Sequence, residues 1–518
     1  MKALVVLFDE ENKYQEEKAF GEKSGRELCA AFFEKAQFLP AGIDTVGLVF
    51  VKKGGCKTGS QLLAKIHQLA KEKNADFVIY SYADLPFLNA ALTKKIITSH
   101  VEYKCEYTFA DGFPYGFAPE VIDCGALGIL AELARTSQAE EGAKTVCRET
   151  IWNLLKTDIN SFEVESELSE NDWRLLRLKF ACGNKDEFLQ CKALYQAADK
   201  AGLLTDGGLS DADAEELSKI ASENVSALKT VPGFYNIQIT GQRDTKPLYE
   251  PKFPAAGDKM SFENFASLCK KISDFSENAV LNLSFAGEPL LHEDFLKIAG
   301  EVFKYEGLSL FIETSALSLT DDVIAGLKSL YEKAAESTNG YQKLMFAVSL
   351  DAVSAPVYAK MNGGSEADFS KALAAVQKLC GAFPGMVYPQ FTRTNHNEEE
   401  LEAFFRFWNE KTNSSGGNCI IQKYNDFSGL LPACKPADLS PVERNVCWHL
   451  RRDMTILADG SVYACPNMAA HGGDNLGNVF ELSLEEIWKK SDQMILDHIN
   501  KKYCEICRAC DEYYTFNF

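Results

Sequence analysis

Apolar runs and amphipathic stretches alternate along this chain in two separate series. In the first, residues 3–8, 45–51 and 77–82 are apolar runs of strand length, and they predict buried strands. Between them, residues 25–36 and 61–73 space their apolar positions as amphipathic helices do. Strand, helix and strand in that order predict a mostly parallel sheet covered on both faces. After about Asp123 the pattern turns helical, through Trp152 and the stretch 172–177. Residues 205–213 open with turn formers and close on an N-cap for the acidic helix that follows, so a boundary is expected within about 200–230.

The second series begins at Phe234. Strand candidates at 235–240, 280–285, 308–313, 345–350, 386–392 and 419–424 recur every 30 to 45 residues or so, with amphipathic segments between most of them. Six such units predict an open, partial (β/α)6 barrel, a fold that carries its sites at the C-terminal ends of the strands. From about Asn413 the elements shorten. The expected domains are therefore 1–225, a parallel-sheet domain with a helical extension; 231–412, the partial barrel; and 413–518, a small terminal domain.

Composition changes this picture little and charge changes it more. The 518 residues, 46% hydrophobic and 25% charged, are those of an ordinary soluble α/β protein of about three domains. A formal charge of −20 repels phosphate backbones and anionic lipid, so neither nucleic acid nor a membrane is an expected partner. The apolar run after Met1 is too short for a secretory leader and meets acid at Asp9 and Glu10, which predicts a cytoplasmic protein with reduced thiols.

Sixteen cysteines then stand out by position. Eleven are scattered singly over residues 1–446, as small buried hydrophobes usually are. Five fall in the last 72 residues, spaced Cys447-x17-Cys465-x38-Cys504-x2-Cys507-x2-Cys510. Between the first two, residues 457–465 read as a hairpin with an Asp459-Gly460 turn whose second strand delivers Cys465. Four thiolates converging from a hairpin and a tail make a tetrahedral sulfur set suited to zinc or to an iron–sulfur cluster, with one cysteine spare. His292 and His471 are expected to be solvated loop residues.

On these residues the chain resembles a family. The spacing Cys447-x12-Gly460-x4-Cys465, the segment Leu476-Gly477-Asn478-Val479 with Ser483-Leu484-Glu485-Glu486-Ile487-Trp488, and the closing Cys507-Arg508-Ala509-Cys510 are similar to the SPASM domain, an auxiliary iron–sulfur domain that follows many radical SAM enzymes. The resemblance implies one [4Fe–4S] cluster of auxiliary type, because the later cysteines of the two-cluster form are absent. Upstream, Gly287-Glu288-Pro289 resembles the radical SAM "GGEPLL" segment that holds the amino acid end of S-adenosylmethionine, with Ala286 in place of its first glycine. Ser349-Leu350-Asp351-Ala352 resembles "SlDG", and Glu313-Thr314-Ser315-Ala316 stands where "TNG" is expected. That resemblance makes Gly287, Glu288, Pro289, Ser349 and Asp351 cofactor-site candidates.

The loop after the first barrel strand departs from the pattern. Where radical SAM enzymes carry CxxxCxxC, this chain places Arg243, Pro247 and Glu250, and no other CxxxCxxC exists in it. Without those thiolates there is no electron path into a sulfonium, so reductive cleavage of S-adenosylmethionine is expected to be lost and the cofactor itself is in doubt. In the first domain, Asp84-Leu85-Pro86-Phe87 after a buried strand resembles the "aDxPf" of GT-A-type nucleotidyltransferases. The resemblance implies Mg2+ and a nucleotide at Asp84, with residues 107–117 along a sugar pocket. The opening Phe8-Asp9-Glu10-Glu11 is acidic rather than glycine-rich, and Lys23 is the nearby base for phosphate.

All three parts together, with the aromatic tail at 511–518, resemble the spiro-SPASM proteins. The expected function is an iron–sulfur protein whose single cluster is structural or relays electrons, with a peptide, protein or small molecule taken by the barrel. The alternative is a sugar-nucleotide-binding protein or nucleotidyltransferase acting through the N-terminal domain.

Overall fold

The computed structural model describes residues 1–135, 144–205, 208–209, 212–253, 259–335, 337–437, 440–441 and 443–514. By contact the chain divides into two units, Met1–Thr230 and Val231–Phe518.

In the first unit six strands form one sheet: β1 Lys2–Asp9, β2 Asp44–Lys52, β3 Phe77–Tyr82, β4 Tyr107–Asp111, β5 Glu120–Asp123 and β6 Val164–Leu168. Their spatial order is β2-β1-β3-β5-β4-β6. β1 is parallel to both β2 and β3, as the strand–helix–strand pattern predicts, while β5 runs antiparallel between β3 and β4. The helices start where the sequence supplies caps. Ser24 and Glu27 form a capping box for Gly25–Lys35, and Thr58 and Gln61 form one for Gly59–Lys73. A short pair, β7 Leu204–Thr205 and β8 Gly208–Leu209, precedes Asp213, which caps Ala214–Ser222 as expected. Residues 206, 207, 210 and 211 of that stretch lie outside the described residues, as do 515–518 of the tail.

The second unit is built on β9 Phe234–Ile237, β10 Ala279–Asn282, β11 Leu308–Thr314, β12 Leu344–Ser349, β13 Val387–Arg393 and β14 Ile420–Lys423. Each strand is parallel to the next in chain order. Side chains alternate between faces with the period of two that strands impose. Tyr235, Ile237, Leu281, Leu310, Ile312 and Phe346 pack into the helix-covered core. Their neighbours Asn236, Asn282 and Glu313 face the other way, into a cavity.

The terminal segment joins this sheet directly. β15 Asp453–Ile456 pairs parallel with β9, β16 Ser461–Tyr463 folds back antiparallel on β15, and β17 Gly477–Asn478 follows. The result is one nine-stranded sheet, β14-β13-β12-β11-β10-β9-β15-β16-β17. Met454, Ile456, Val462, Ile487 and Trp488 are buried in the same core as the first six strands. Buried Gln238 fastens the join: its backbone N–H donates to Ile456 O at 2.9 Å, and its side-chain oxygen accepts from Ala458 N–H at 3.2 Å. The Asp459-Gly460 turn is as expected, but β16 stops at Tyr463, and Cys465 serves instead as the N-cap of Pro466–His471. Among the described residues no helix is long and apolar enough to cross a membrane.

The hairpin turn supplies a test. Gly460 has φ +86°, and a Cβ there would lie 2.4 Å from the Phe480 ring and 2.5 Å from Asn478 Oδ1. Gly460→Ala is expected to lower stability by about 1–3 kcal/mol. Denaturant unfolding of the full chain checks this, and an unchanged midpoint would contradict it.

Candidate functional site

A cavity of about 330 Å3 opens where β9 to β14 end in the second unit. Its strand side is polar: Asn282 Nδ2 donates to Asn236 Oδ1 at 3.1 Å, and Gln390 Nε2 donates to Glu313 Oε1 at 2.6 Å. Opposite lie Phe253, Phe285 and Phe427, with ring centroids 4.8 and 6.1 Å from Phe253.

Gly287, Glu288 and Ser349 line this cavity. Gly287 runs so close to the preceding loop that a Cβ would sit 1.7 Å from Thr240 O, which only glycine allows. The Glu288 carboxylate accepts from Thr314 Oγ1 at 2.8 Å, Ser315 N–H at 3.0 Å and Leu290 N–H at 3.2 Å. Burial nevertheless pushes its carboxyl up to about 7. Pro289 starts a single helical turn, Pro289–Leu291, beside it. Asp351 is fully buried and turned away from the cavity lining. Its carboxylate accepts from Tyr249 Oη at 2.8 Å and Thr392 N–H at 2.6 Å, and burial lifts it to about 6. Through Tyr249, which lines the cavity, and Thr392 it orders the surrounding loops.

The loop at 243–250 is closed on itself by an ion pair between Arg243 and Glu250, the outer two of the three positions at which the family pattern has cysteines. Asp244 accepts from Ser315 Oγ at 2.9 Å and Ser318 Oγ at 2.7 Å, while Lys246 N–H and Leu248 N–H donate to Asn362 O and Met361 O. Ala286 and Ala316, which stand at glycine positions of the resembled motifs, have φ +55° and +58°. Both alanines thus hold left-handed turns that glycine adopts without strain.

Four of the terminal cysteines share this cavity. Cys447, Cys465, Cys507 and Cys510 line it; Cys504 is exposed and does not. Cys447 and Cys465 are N-caps, of Trp448–Arg452 and Pro466–His471. The backbone N–H groups of Leu450 and His449 bear on the Cys447 sulfur, and those of Met468 and Asn467 on the Cys465 sulfur. Cys510 Sγ accepts from Glu512 N–H at 3.3 Å and Asn467 Nδ2 at 3.4 Å. Burial pushes the Cys447 thiol up to about 12, despite an opposing pull from Arg444, and raises Cys465, Cys507 and Cys510 as well. Donors aimed at sulfur favour thiolate over thiol, so this set fits anionic ligands of a positively charged metal group. Among the described residues, no three or more His, Cys, Asp or Glu side chains are gathered as a single metal ion would require.

Two histidine expectations are corrected. His292 is buried, with Nε2 on Met260 O at 2.9 Å and Nδ1 accepting from Asp294 N–H at 3.0 Å. His471 bonds Phe427 O at 2.8 Å. Both are structural because their rings bridge loops.

In the first unit Asp84 follows β3 at the point where strand order reverses, the usual place for a ligand in an open α/β sheet. Its carboxylate is already occupied. Arg148 Nη1 and Nη2 donate to its two oxygens at 3.1 and 2.7 Å, and the guanidinium stacks between Tyr82 and Tyr115 at 4.6 and 5.2 Å. Glu187 stands 3.4 Å from the same guanidinium. The residues present therefore do not fit Mg2+ at Asp84, because an arginine holds the position a cation would take. Arg148, 64 residues away in a segment without periodicity of its own, carried no sequence signal.

Residues 447–511 match the SPASM family model, an iron–sulfur cluster-binding domain. Over 380 residues the chain is 38% identical to an "Uncharacterized protein" of Treponema pallidum (strain Nichols), covering 72% of this chain and 99% of that one. Among solved structures it is similar to Streptococcus suis SuiB, at 12% identity and TM-score 0.42, covering 66% of this chain and 87% of that one. It is also similar to a cytidylyltransferase from Leptospira borgpetersenii serovar Hardjo-bovis (strain JB197), at 13% identity and TM-score 0.32, covering 44% and 97%.

The site carries two tests. The Glu288 carboxyl is raised from 4.5 to about 7, so its contribution to stability is complete below pH 4.5 and is lost as pH rises through 7. Between those limits stability is expected to fall by up to about 1.4 kcal/mol per pH unit from this group. Glu288→Gln is expected to lose that slope, so the difference between variant and parent stabilities should change with pH between 4.5 and 7; a pH-independent difference would contradict it. Ala316→Gly relieves a left-handed alanine and is expected to raise stability by about 0.5–1 kcal/mol, read from the same unfolding measurement.

Proposed function

The chain belongs to the same family as that Treponema pallidum protein, and we propose that it is an iron–sulfur protein on a radical SAM/SPASM scaffold of the spiro-SPASM type that does not cleave S-adenosylmethionine reductively. In this reading β9 to β14 are a partial barrel, and the terminal hairpin and tail bring a single [4Fe–4S] cluster to its open end. Cys447, Cys465, Cys507 and Cys510 would hold the cluster, leaving Cys504 as the spare. When bound, such a cluster supplies one-electron transfer or a structural staple.

One observation carries the proposal: four thiols and the motif residues Gly287, Glu288 and Ser349 line one cavity, while an ion pair fills the loop where the radical SAM cysteines would be. The chain's own groups then have plain tasks. The N–H groups of His449, Leu450, Asn467 and Met468 orient the sulfurs and stabilise them as thiolates. Asn467 also bonds Asn425 at 2.8 Å and so ties the cysteine end to the loop after β14. The amide-lined strand side and phenylalanine wall suit a peptide or small molecule with polar and apolar faces.

Anaerobic purification with iron, zinc and sulfide measured together tests this. About four iron and four sulfide per chain are expected, with broad absorbance at the violet end of the visible range. Cys465→Ser is expected to abolish the band and Cys504→Ser to leave it. Stoichiometric zinc without that band would overturn the cluster. Incubation with S-adenosylmethionine and a strong reductant is expected to give no 5′-deoxyadenosine, and its formation would overturn the loss of cleavage.

A further inference from the structure

A second thiol site lies in the second unit outside the cavity lining. Cys434 Sγ is 3.6 Å from His396 Nε2. The two come from different loops, one after β13 and one after β14, so the juxtaposition is made by the fold. Both loops are pinned from beneath. Asn397, fully buried, donates from Nδ2 to Asp351 O and Thr392 O at 2.9 Å each and accepts from Thr394 N–H at 2.8 Å. Buried Tyr424 donates its hydroxyl to Pro432 O at 2.7 Å, two residues before the cysteine. Asn395 N–H donates to Cys434 O at 2.8 Å and clasps the loops together. The imidazole is exposed and the cysteine partly so.

We propose that Cys434 and His396 form a reactive thiol–imidazole pair that takes up low-molecular-weight disulfides, making Cys434 a site of reversible mixed-disulfide modification. A nucleophilic thiol needs a base within hydrogen-bond reach and access for the electrophile, and this pair has both. Thiol–disulfide exchange asks for nothing further, whereas acyl transfer would also need donors placed for an oxyanion. In the step, His396 Nε2 takes the Cys434 proton and the thiolate attacks one sulfur of the disulfide. The S–S bond of the reagent breaks, and its leaving thiolate takes the proton from the imidazolium. Cys434 is oxidised to the mixed disulfide, half of the reagent leaves reduced as a thiol, and excess thiol reverses the exchange.

The test treats the full chain, with its terminal cysteines unchanged, with glutathione disulfide near pH 7 and follows each cysteine by peptide mass mapping. Cys147, exposed and with its sulfur accepting from Thr150 Oγ1 at 3.6 Å, is the internal reference. Cys434 is expected to be modified at least about tenfold faster than Cys147. His396→Gln, an exposed substitution, is expected to bring the two rates together without moving the unfolding midpoint. Equal rates in the parent protein, or an undiminished rate in His396→Gln, would overturn the pair. Iodoacetamide labelling keeps the reading falsifiable for a disulfide too bulky to approach: if Cys434 shows no advantage over Cys147 there either, the thiol is not activated.

Discussion

Much of the second unit hangs on one buried amide. Gln238 lies just past the first strand of the parallel series and is fully enclosed. Its backbone N–H and side-chain oxygen engage the terminal hairpin, and its Nε2 donates to Ala286 O at 3.2 Å. A buried amide with donor and acceptor both satisfied is a directional fastener, since leaving either group unpaired costs about 1–3 kcal/mol. Three segments distant in sequence thereby share one residue: the opening strand, the Gly-Glu-Pro turn and the hairpin that leads to Cys465. Their common alignment is what lets motif residues and thiols face the same cavity.

In each unit, a position that family resemblance assigns to a metal group is taken by an arginine bonded to a carboxylate. Arg148 clasps Asp84 in the first, and Arg243 pairs with Glu250 in the second. Enclosed acid needs a positive partner whatever its source, and a guanidinium provides one that neither exchanges nor changes oxidation state. Each pair balances the carboxylate without an external ion. The terminal thiols differ, because backbone and amide N–H groups surround their sulfurs and suit an anion.

Strands β1 to β3 and β9 to β14 could be read from the sequence because each is a short apolar run between helices, whereas β4 to β6, which mix polar and apolar residues, could not. The Asp459-Gly460 turn and the N-cap ahead of the acidic helix Ala214–Ser222 were legible from local pattern too. Pairing across distance was not. Nothing in residues 413–518 announces that β15 lies beside β9, so a segment expected to stand as its own domain shares the central sheet and core. The candidate site was half legible. Its cysteines follow from spacing and Gly287-Glu288 from resemblance to a family motif, but the bond from Arg148 to Asp84, the inward turn of Asp351 and the meeting of His396 with Cys434 depend on loops folded from separate strands. Ala286 and Ala316 show the limit from the other side, since their side chains conceal a backbone geometry that glycine would have advertised.

The long span between β9 and β15 also bears on how the chain is made. Gln238 and its partner Ala458 are 220 residues apart, which at ordinary ribosomal speeds separates their emergence by about 10–40 s. Throughout that interval β9 has one open edge, an apolar strand with unpaired N–H and C=O groups that could template pairing with another chain. Helper proteins that shield nascent strands, or a slow approach of the later helices, would have most effect in this window. The carboxyl-terminal hairpin therefore acts as the cap that ends the protein's period of greatest exposure to aggregation.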